Sequence, residues 1–254
     1  MQSIQEKLRT SWRLLLLSQN MIFIIILVPI IYSPFGQIIP KRRKIAGSLY
    51  RNCYKALNIE LVIKGSPTSE PALWVCNHIS WLDILLLAGN NCVDFMAKSE
   101  VADWPVIGGV IRRTGTLFID RDNKFKAYKA LPELQQRLES GKSVLIFPEG
   151  TTSTGEFCLP FKPMFYQAAI RSNMLIQPVS LKYEHIDGSP CTDIAFIGDD
   201  EFSVSFKHIL SKPQIIAHIT YLPAIKAEQW HRKEVANLNR QHINLTINKP
   251  TYKQ

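Results

Sequence analysis

The chain has 254 residues, an apolar fraction of 46% and a net charge of +9, from 30 Lys and Arg against 21 Asp and Glu. This length excludes two large domains and this apolar fraction excludes disorder throughout, while the charge favours anionic partners: membranes, nucleic acid or phosphorylated molecules. The five cysteines form no CxxC pair, so the sequence predicts neither a zinc cluster nor a disulfide framework, and we expect reduced thiols in a cytosol-facing domain.

The first 40 residues are predicted to form a membrane-anchoring helical segment. Leu14 to Tyr32 is long enough for a tilted membrane span, although Ser18 to Asn20 form a polar notch. No small-residue cleavage site follows, which argues against a secretory signal peptide. The basic cluster Lys41 to Lys44 comes next and favours an anionic leaflet and a cytoplasmic catalytic domain. Basic residues also flank the other end, so a single span, a monotopic anchor and a buried core helix all stay open.

Residues 41–254 alternate between helical and strand-like patterns, which predicts one α/β domain with a mixed β-sheet flanked by helices. Residues 184–201 lack periodicity and are predicted to form a surface loop, and Lys226 to Ile247 a C-terminal helix. The predicted strands are Ile59 to Ile63, Ala72 to Cys76, Val93 to Ala97, Thr116 to Ile119, Val144 to Phe147, Leu175 to Leu181 and Gln214 to Leu222. Helices are predicted at Ala46 to Leu57, Ile84 to Ala88, Phe125 to Leu138 and Met164 to Arg171.

A histidine and an aspartate follow the second predicted strand. With His78 at the strand end and Asp83 one turn into a helix that Ser80 can cap, the carboxylate can approach the imidazole. It would fix the imidazole tautomer and stabilise the imidazolium that forms when His78 accepts a proton. This is a base and its orienting group without a protein nucleophile, which would be a substrate hydroxyl. A purely structural His–Asp hydrogen bond is the alternative.

This pair lies in the first of four ordered motifs. Asn77 to Asp83 resembles the HxxxxD motif of the glycerolipid acyltransferases related to 1-acyl-sn-glycerol-3-phosphate acyltransferase. The second, third and fourth motifs of that family are similar to Gly115 to Arg121, Phe147 to Ser153 and Ile176 to Ser180. The chain is therefore identified as a member of this family.

The resemblance implies the roles of the site residues. His78 and Asp83 are the expected catalytic pair, no metal is needed, and Arg121 would hold an acceptor phosphate by two hydrogen bonds. In similar enzymes the region of Trp104 to Gly109 helps line an acyl channel, with core packing as the alternative. The expected substrate-binding residues are Asn77, Lys98, Gly115, Arg121, Glu149, Gly150 and Thr151.

The expected reaction moves a fatty acyl group from a thioester, acyl-CoA or acyl carrier protein, to the free hydroxyl of a membrane lysolipid, without a cofactor. The first expected acceptor is 1-acyl-sn-glycerol-3-phosphate, giving phosphatidate in phospholipid biosynthesis. Phosphatidate-forming relatives commonly have Arg where this chain has Thr152, so lyso-ornithine lipid is the alternative acceptor. A non-catalytic, membrane-docked lipid-binding module is a more remote alternative. Nucleic acid is not expected as a partner, because the densest basic cluster, Lys41 to Lys44, adjoins the apolar segment.

Overall fold

A computed structural model describes residues 4–31, 40–103, 107–120, 124–198 and 200–249. The helices are α1 (Ile4–Ile31), α2 (Pro40–Ala56), α3 (Leu82–Asn90), α4 (Ile107–Arg113), α5 (Lys124–Glu139), α6 (Tyr166–Arg171), α7 (Phe202–Ser211) and α8 (Arg232–Ile247). The strands are β1 (Ile59–Lys64), β2 (Ala72–Cys76), β3 (Asp94–Lys98), β4 (Leu117–Ile119), β5 (Val144–Ile146), β6 (Leu175–Glu184), β7 (Ile215–Tyr221) and β8 (Ile225–Lys226).

The described strands form one mixed sheet in the order β1-β7-β6-β2-β5-β3-β4, with β8 pairing β6. The five strands from β6 to β4 are parallel to their neighbours, whereas β6 pairs with β7 and β8 in antiparallel fashion. Parallel strands end at the same edge of a sheet, so the segments that follow β2, β3, β4 and β5 meet there. The predicted mixed α/β sheet is confirmed.

Helices cover both faces of the sheet, because its central strands are apolar on both sides. In β2, Trp74 and Cys76 face a core shared with α1, α2, α3 and α7, while Leu73 and Val75 face a core shared with α5, α6 and α8. Every residue of β2 is buried. A strand buried on both faces reads as a continuous apolar run, which is why the sequence predicted it with the observed bounds.

Several predicted bounds shift where tertiary pairing extends or interrupts an element. β6 continues to Glu184 because its second half pairs with β7, and the C-terminal helix begins only at Arg232. The preceding residues form β8 and a short 3-10 helix, Ala227–Gln229. Helices α4 and α7 were not predicted.

Helix α1 is docked along the domain rather than separate from it. It is long and apolar enough to span a membrane over Ile4–Leu27, with only 17% of that stretch buried. The face that carries Leu17 and Ile24 is buried against the domain, while residues such as Leu8 and Trp12 are exposed. Helix α1 is thus a candidate membrane anchor: one face packs against the domain, and the opposite, apolar face is exposed. The division of the chain at residue 40 stays a prediction.

A buried arginine holds α1 to the end of α7. The Arg13 side chain is 4% exposed and donates hydrogen bonds to the backbone carbonyls of Leu210 (2.8 Å) and Pro213 (2.9 Å). A charge inside an apolar helix is costly unless it is paired, and here carbonyl oxygens at the C-terminal end of a helix accept its protons.

We expect Arg13→Leu to lower the free energy of unfolding by about 2 kcal/mol, because it leaves buried carbonyl oxygens without their donor. Thermal unfolding in neutral detergent measures the effect, with the exposed Lys7→Leu as the control on the same helix. Equal melting temperatures for the two variants would contradict this account of α1 docking.

Candidate active site

The imidazole of His78 and the carboxylate of Asp83 form a hydrogen-bonded pair at the carboxyl edge of the sheet. His78 follows β2 directly, and its Nδ1 lies 2.7 Å from Asp83 Oδ2. The imidazole is 15% exposed and the carboxylate fully buried. A carboxylate at Nδ1 keeps the proton on that nitrogen, so Nε2 is the nitrogen that can accept a proton from a substrate.

The Asp83 carboxylate is held by three further donors. Its Oδ2 accepts the backbone N–H groups of Ile79 (2.7 Å) and Ser80 (3.1 Å), and its Oδ1 accepts the hydroxyl of Tyr183 (2.6 Å). Burial raises the pKa of Tyr183 well above its ordinary value, and the charge of Asp83 raises it further, so the phenol remains a donor. A buried carboxylate with four donors is fixed in position and can be charged in the core.

The predicted cap of α3 by Ser80 is wrong. Trp81 occupies the cap position without a side-chain bond, and Ser80 Oγ is buried with no partner among the described residues. Asp83, in the first turn, accepts the backbone N–H groups that precede the helix instead. A carboxylate is favourable at a helix start, and in this protein it is the same carboxylate that binds His78.

The segment after β5 supports His78 from a second side. The ring of Phe147 stacks on the imidazole at 3.8 Å between centroids, with 13° between the planes. Glu149 is 3% exposed, and its two oxygens accept the backbone N–H groups of His78 and Leu159, each at 2.8 Å. Burial raises the pKa of this carboxyl, and the two N–H donors oppose the rise. Glu149 therefore braces the loop that carries His78, and its contact with an acceptor stays a prediction.

Two other residues that were predicted to bind substrate make contacts within the protein. Asn77 is fully buried, and its amide bonds both the N–H (2.8 Å) and the carbonyl (2.9 Å) of Leu181, which ties the end of β2 to β6. Gly115 precedes β4 and lies beside Asp94, the first residue of β3, at the amino edge of the sheet. The length of β4 separates it from His78, so the structure does not bring Gly115 to the site.

The remaining predicted residues are distributed along the carboxyl edge. Lys98 ends β3 and pairs with Glu100 at 3.0 Å. Gly150 adopts a positive φ of 75° in the turn after β5, and Thr151 next to it is exposed. Arg121 and Trp104 to Val106 lie outside the described residues, so the phosphate role of Arg121 stays a prediction.

An apolar cavity of about 600 Å³ lies next to Phe147, the ring that stacks on His78. Phe147, Pro148 and Gly150 contribute the wall nearest His78, and the cavity continues between β3, β4, α5 and the segment before α6. Its volume and apolar lining suit a fatty chain. Gly108 and Gly109 do not line it, so the described part of the segment predicted to form an acyl channel lies elsewhere. The other lining residues are Met96, Ile119, Phe125, Ala127, Tyr128, Ile146, Lys162, Pro163, Met164, Phe165 and Arg232.

Comparison with known proteins identifies the family to which the chain belongs. Residues 58–182 match the family model described as Acyltransferase. The lyso-ornithine lipid O-acyltransferase of Pseudomonas aeruginosa is 32% identical over 214 residues, covering 84% of this chain and 82% of that protein. The chain belongs to the PlsC-like family of glycerolipid acyltransferases. It is therefore an acyltransferase of lipid metabolism, with a lipid substrate and an acyl donor, as the motifs predicted.

Two further relatives support the family and the fold. The 1-acyl-sn-glycerol-3-phosphate acyltransferase of Neisseria meningitidis is 34% identical over 145 residues, which cover 56% of each protein. The crystal structure of the 1-acyl-sn-glycerophosphate acyltransferase PlsC from Thermotoga maritima matches the full length of both chains with a TM-score of 0.72 at 20% identity. At 20% identity, this similarity shows that the two chains share a fold.

Away from the His78–Asp83 pair, one group of side chains among the described residues has metal-ligand chemistry that the sequence spacing did not indicate. Ligand atoms of His185, Cys191 and Asp193 lie within 4.8 Å of one another. The Asp193 carboxylate already accepts from the Lys212 ammonium, and His208 Nε2 lies 3.3 Å away. The Lys212 ammonium already balances the charge of the Asp193 carboxylate. We therefore interpret this group as an ion pair that holds the loop after β6 rather than as a metal site.

Three residues near the His78–Asp83 pair or the cavity had been assigned no individual role from the sequence. Tyr183 is 100 positions from its partner Asp83, and only the pairing of β2 with β6 brings them together. Phe147 was read as a strand residue, and its stacking on His78 depends on β5 lying beside β2. The sequence did not indicate a role for Lys162, because a single lysine in a loop is ordinarily solvated. Only its position beside Gly150 and the cavity distinguishes it.

Proposed function

We propose that this acyltransferase transfers a fatty acyl group from a thioester, acyl-CoA or acyl carrier protein, to the hydroxyl of lyso-ornithine lipid. The observation that carries the proposal is the partly exposed His78 imidazole bonded to the buried Asp83 carboxylate, with the stacked Phe147 ring lining an apolar cavity and no protein nucleophile required. The acceptor is supported by the likeness to the lyso-ornithine lipid O-acyltransferase, which covers more of both chains than the likeness to the Neisseria enzyme.

In this reaction His78 Nε2 takes the proton of the acceptor hydroxyl as the oxygen attacks the thioester carbonyl. The imidazolium that forms is stabilised by the Asp83 carboxylate at 2.7 Å. When the tetrahedral intermediate collapses, a C–O ester bond has formed and the C–S bond breaks. The imidazolium then returns its proton to the departing thiolate, and the pair is restored.

The third motif gives a second line of support for the amino-acid headgroup. Thr152 stands where phosphatidate-forming relatives commonly have Arg, and its hydroxyl donates to the carbonyl of Phe196. The position is therefore used to hold the loop after β6 and offers no cation to a phosphate. Transfer to 1-acyl-sn-glycerol-3-phosphate is the second candidate, supported by the likeness to the Neisseria enzyme.

The proposed location is the cytoplasmic face of a membrane, with α1 as a monotopic anchor. Arg9 and Arg13 fix α1 to carbonyls at the end of α7, and the buried face of α1 packs on the domain along much of the helix. A helix held in this way is suited to lying in the interface with its open apolar face in lipid. The basic residues Lys41 to Lys44 favour an anionic leaflet.

A direct assay tests the choice of acceptor. Purified enzyme is offered lyso-ornithine lipid and lysophosphatidate separately, each with acyl-CoA and with acyl carrier protein thioester. We expect kcat/KM for lyso-ornithine lipid to exceed that for lysophosphatidate by about tenfold or more, because a site built for one headgroup leaves polar groups unpaired with the other. The reverse preference would transfer the assignment to the phosphatidate-forming reaction.

A further inference from the structure

Among the described residues, two basic side chains line the apolar cavity and no acidic side chain does. Lys162 is exposed at the rim, and Arg232 is half-buried. Within the described part of the chain no carboxylate forms an ion pair with either of them. An apolar cavity with unpaired cations at its wall is complementary to a molecule that carries both a fatty chain and an anionic group.

The backbone fixes Lys162 close to the reacting centre. Its N–H donates to the carbonyl of Pro148 at 2.8 Å, and its ammonium lies over Gly150, where an added Cβ would meet it. The turn from Phe147 to Gly150 begins with the ring that stacks on His78. The ammonium is therefore held next to the turn that covers the catalytic imidazole.

Helix stability does not account for the position of Arg232. It is the first residue of the 16-residue helix α8, where the positive end of the helix dipole opposes a cation. The neighbouring Lys233 is exposed and does not line the cavity, so the two adjacent cations differ in what they face. An anion between Lys162 and Arg232 would be favourable for the helix start as well as for both side chains.

We infer that Lys162 and Arg232 together bind the anionic group of the acceptor lysolipid, a carboxylate or a phosphate. This inference rests on the proposed function. In either lysolipid the anionic group is a few bonds from the reacting hydroxyl, whereas the phosphates of a thioester donor are separated from the thioester by a long pantetheine arm. Lys162 lies beside the turn that begins with the ring stacked on His78, so its position matches the acceptor, and it supplies the charge that Thr152 does not.

Charge-removing variants test the inference with the full chain. Lys162→Met and Arg232→Gln are expected to raise KM for lyso-ornithine lipid and for lysophosphatidate by about 10- to 100-fold each, the size of one lost charged hydrogen bond. KM for the acyl donor and the rate with an uncharged monoacylglycerol acceptor should stay within about twofold. Lys162→Arg should restore most of the acceptor affinity, and Lys233→Gln is the matched control on α8.

A rise in the donor KM instead would show that the cations bind donor phosphates, and an equal loss with the uncharged acceptor would show a structural role. Either result, or no change, overturns the inference. Binding of both anionic lysolipids to the same variants is measured in neutral detergent in parallel. If wild-type enzyme transfers nothing to either lysolipid, the proposed function fails, and the binding comparison still decides whether these two residues hold the anionic group.

Discussion

Replacing His78 with alanine is expected to lower kcat by about 10³- to 10⁴-fold while leaving KM for both substrates nearly unchanged. Among the described residues at the carboxyl edge, this imidazole combines a buried carboxylate partner with partial exposure, and it stacks on a ring that lines the cavity. Without it the hydroxyl keeps its proton and is a weak nucleophile. Single-turnover assays with purified enzyme in mixed micelles measure the chemical step separately from product release.

The fold should tolerate this change. Asp83 would still accept two backbone N–H groups and the Tyr183 hydroxyl, and the partly exposed position leaves little enclosed space. The exposed His242→Ala on α8 is the control for loss of an imidazole elsewhere. Turnover by His78→Ala within tenfold of wild type, with the same substrates, would refute the role of His78 as base.

Replacing Asp83 with asparagine is expected to lower kcat by about 10³-fold or more. The amide is nearly the same size, but it has no negative charge to stabilise the imidazolium. It also presents an N–H group to an environment that contains only donors: His78 Nδ1, two backbone N–H groups and the Tyr183 hydroxyl. Part of the population then holds the imidazole in the wrong tautomer or turned away from the substrate.

Tyr183→Phe separates the charge of Asp83 from its packing. This variant removes one hydrogen bond from the same carboxylate without touching His78, so we expect stability to fall by about 1 to 3 kcal/mol and kcat to fall far less than in Asp83→Asn. The two variants are compared by thermal unfolding and by kcat on the same preparations. If Tyr183→Phe lost as much activity as Asp83→Asn, position rather than charge would be the main contribution of the carboxylate.

The parts of this acyltransferase that the sequence predicted are those that local pattern determines. The apolar run of β2, the polar residues that end it and the five-residue spacing of His78 and Asp83 all lie within one strand–loop–helix unit. Burial of the strand and helical geometry then bring the two side chains together. The mixed sheet followed in the same way from alternating patterns along the chain.

The parts that it did not predict depend on strand order. Glu149 is in a motif, so its polar side chain was expected to face substrate, but β5 lies beside β2 and the carboxylate meets the N–H of His78 instead. Gly115 is in a motif too, yet it precedes β4 and lies beside Asp94 at the amino edge of the sheet, whereas His78 lies at the carboxyl edge. A motif records which residues are required and does not indicate whether they contact substrate or support those that do.

The cooperation of His78 and Asp83 is tested most directly by a double-mutant cycle with His78→Ala, Asp83→Asn and the double variant, each measured by single turnover. If the carboxylate acts only through the imidazole, its replacement has no further effect on the rate when the imidazole is absent. The double variant should therefore have the same single-turnover rate as His78→Ala within about twofold. Losses that multiply instead would mean that Asp83 contributes to acyl transfer independently of His78, which contradicts the mechanism.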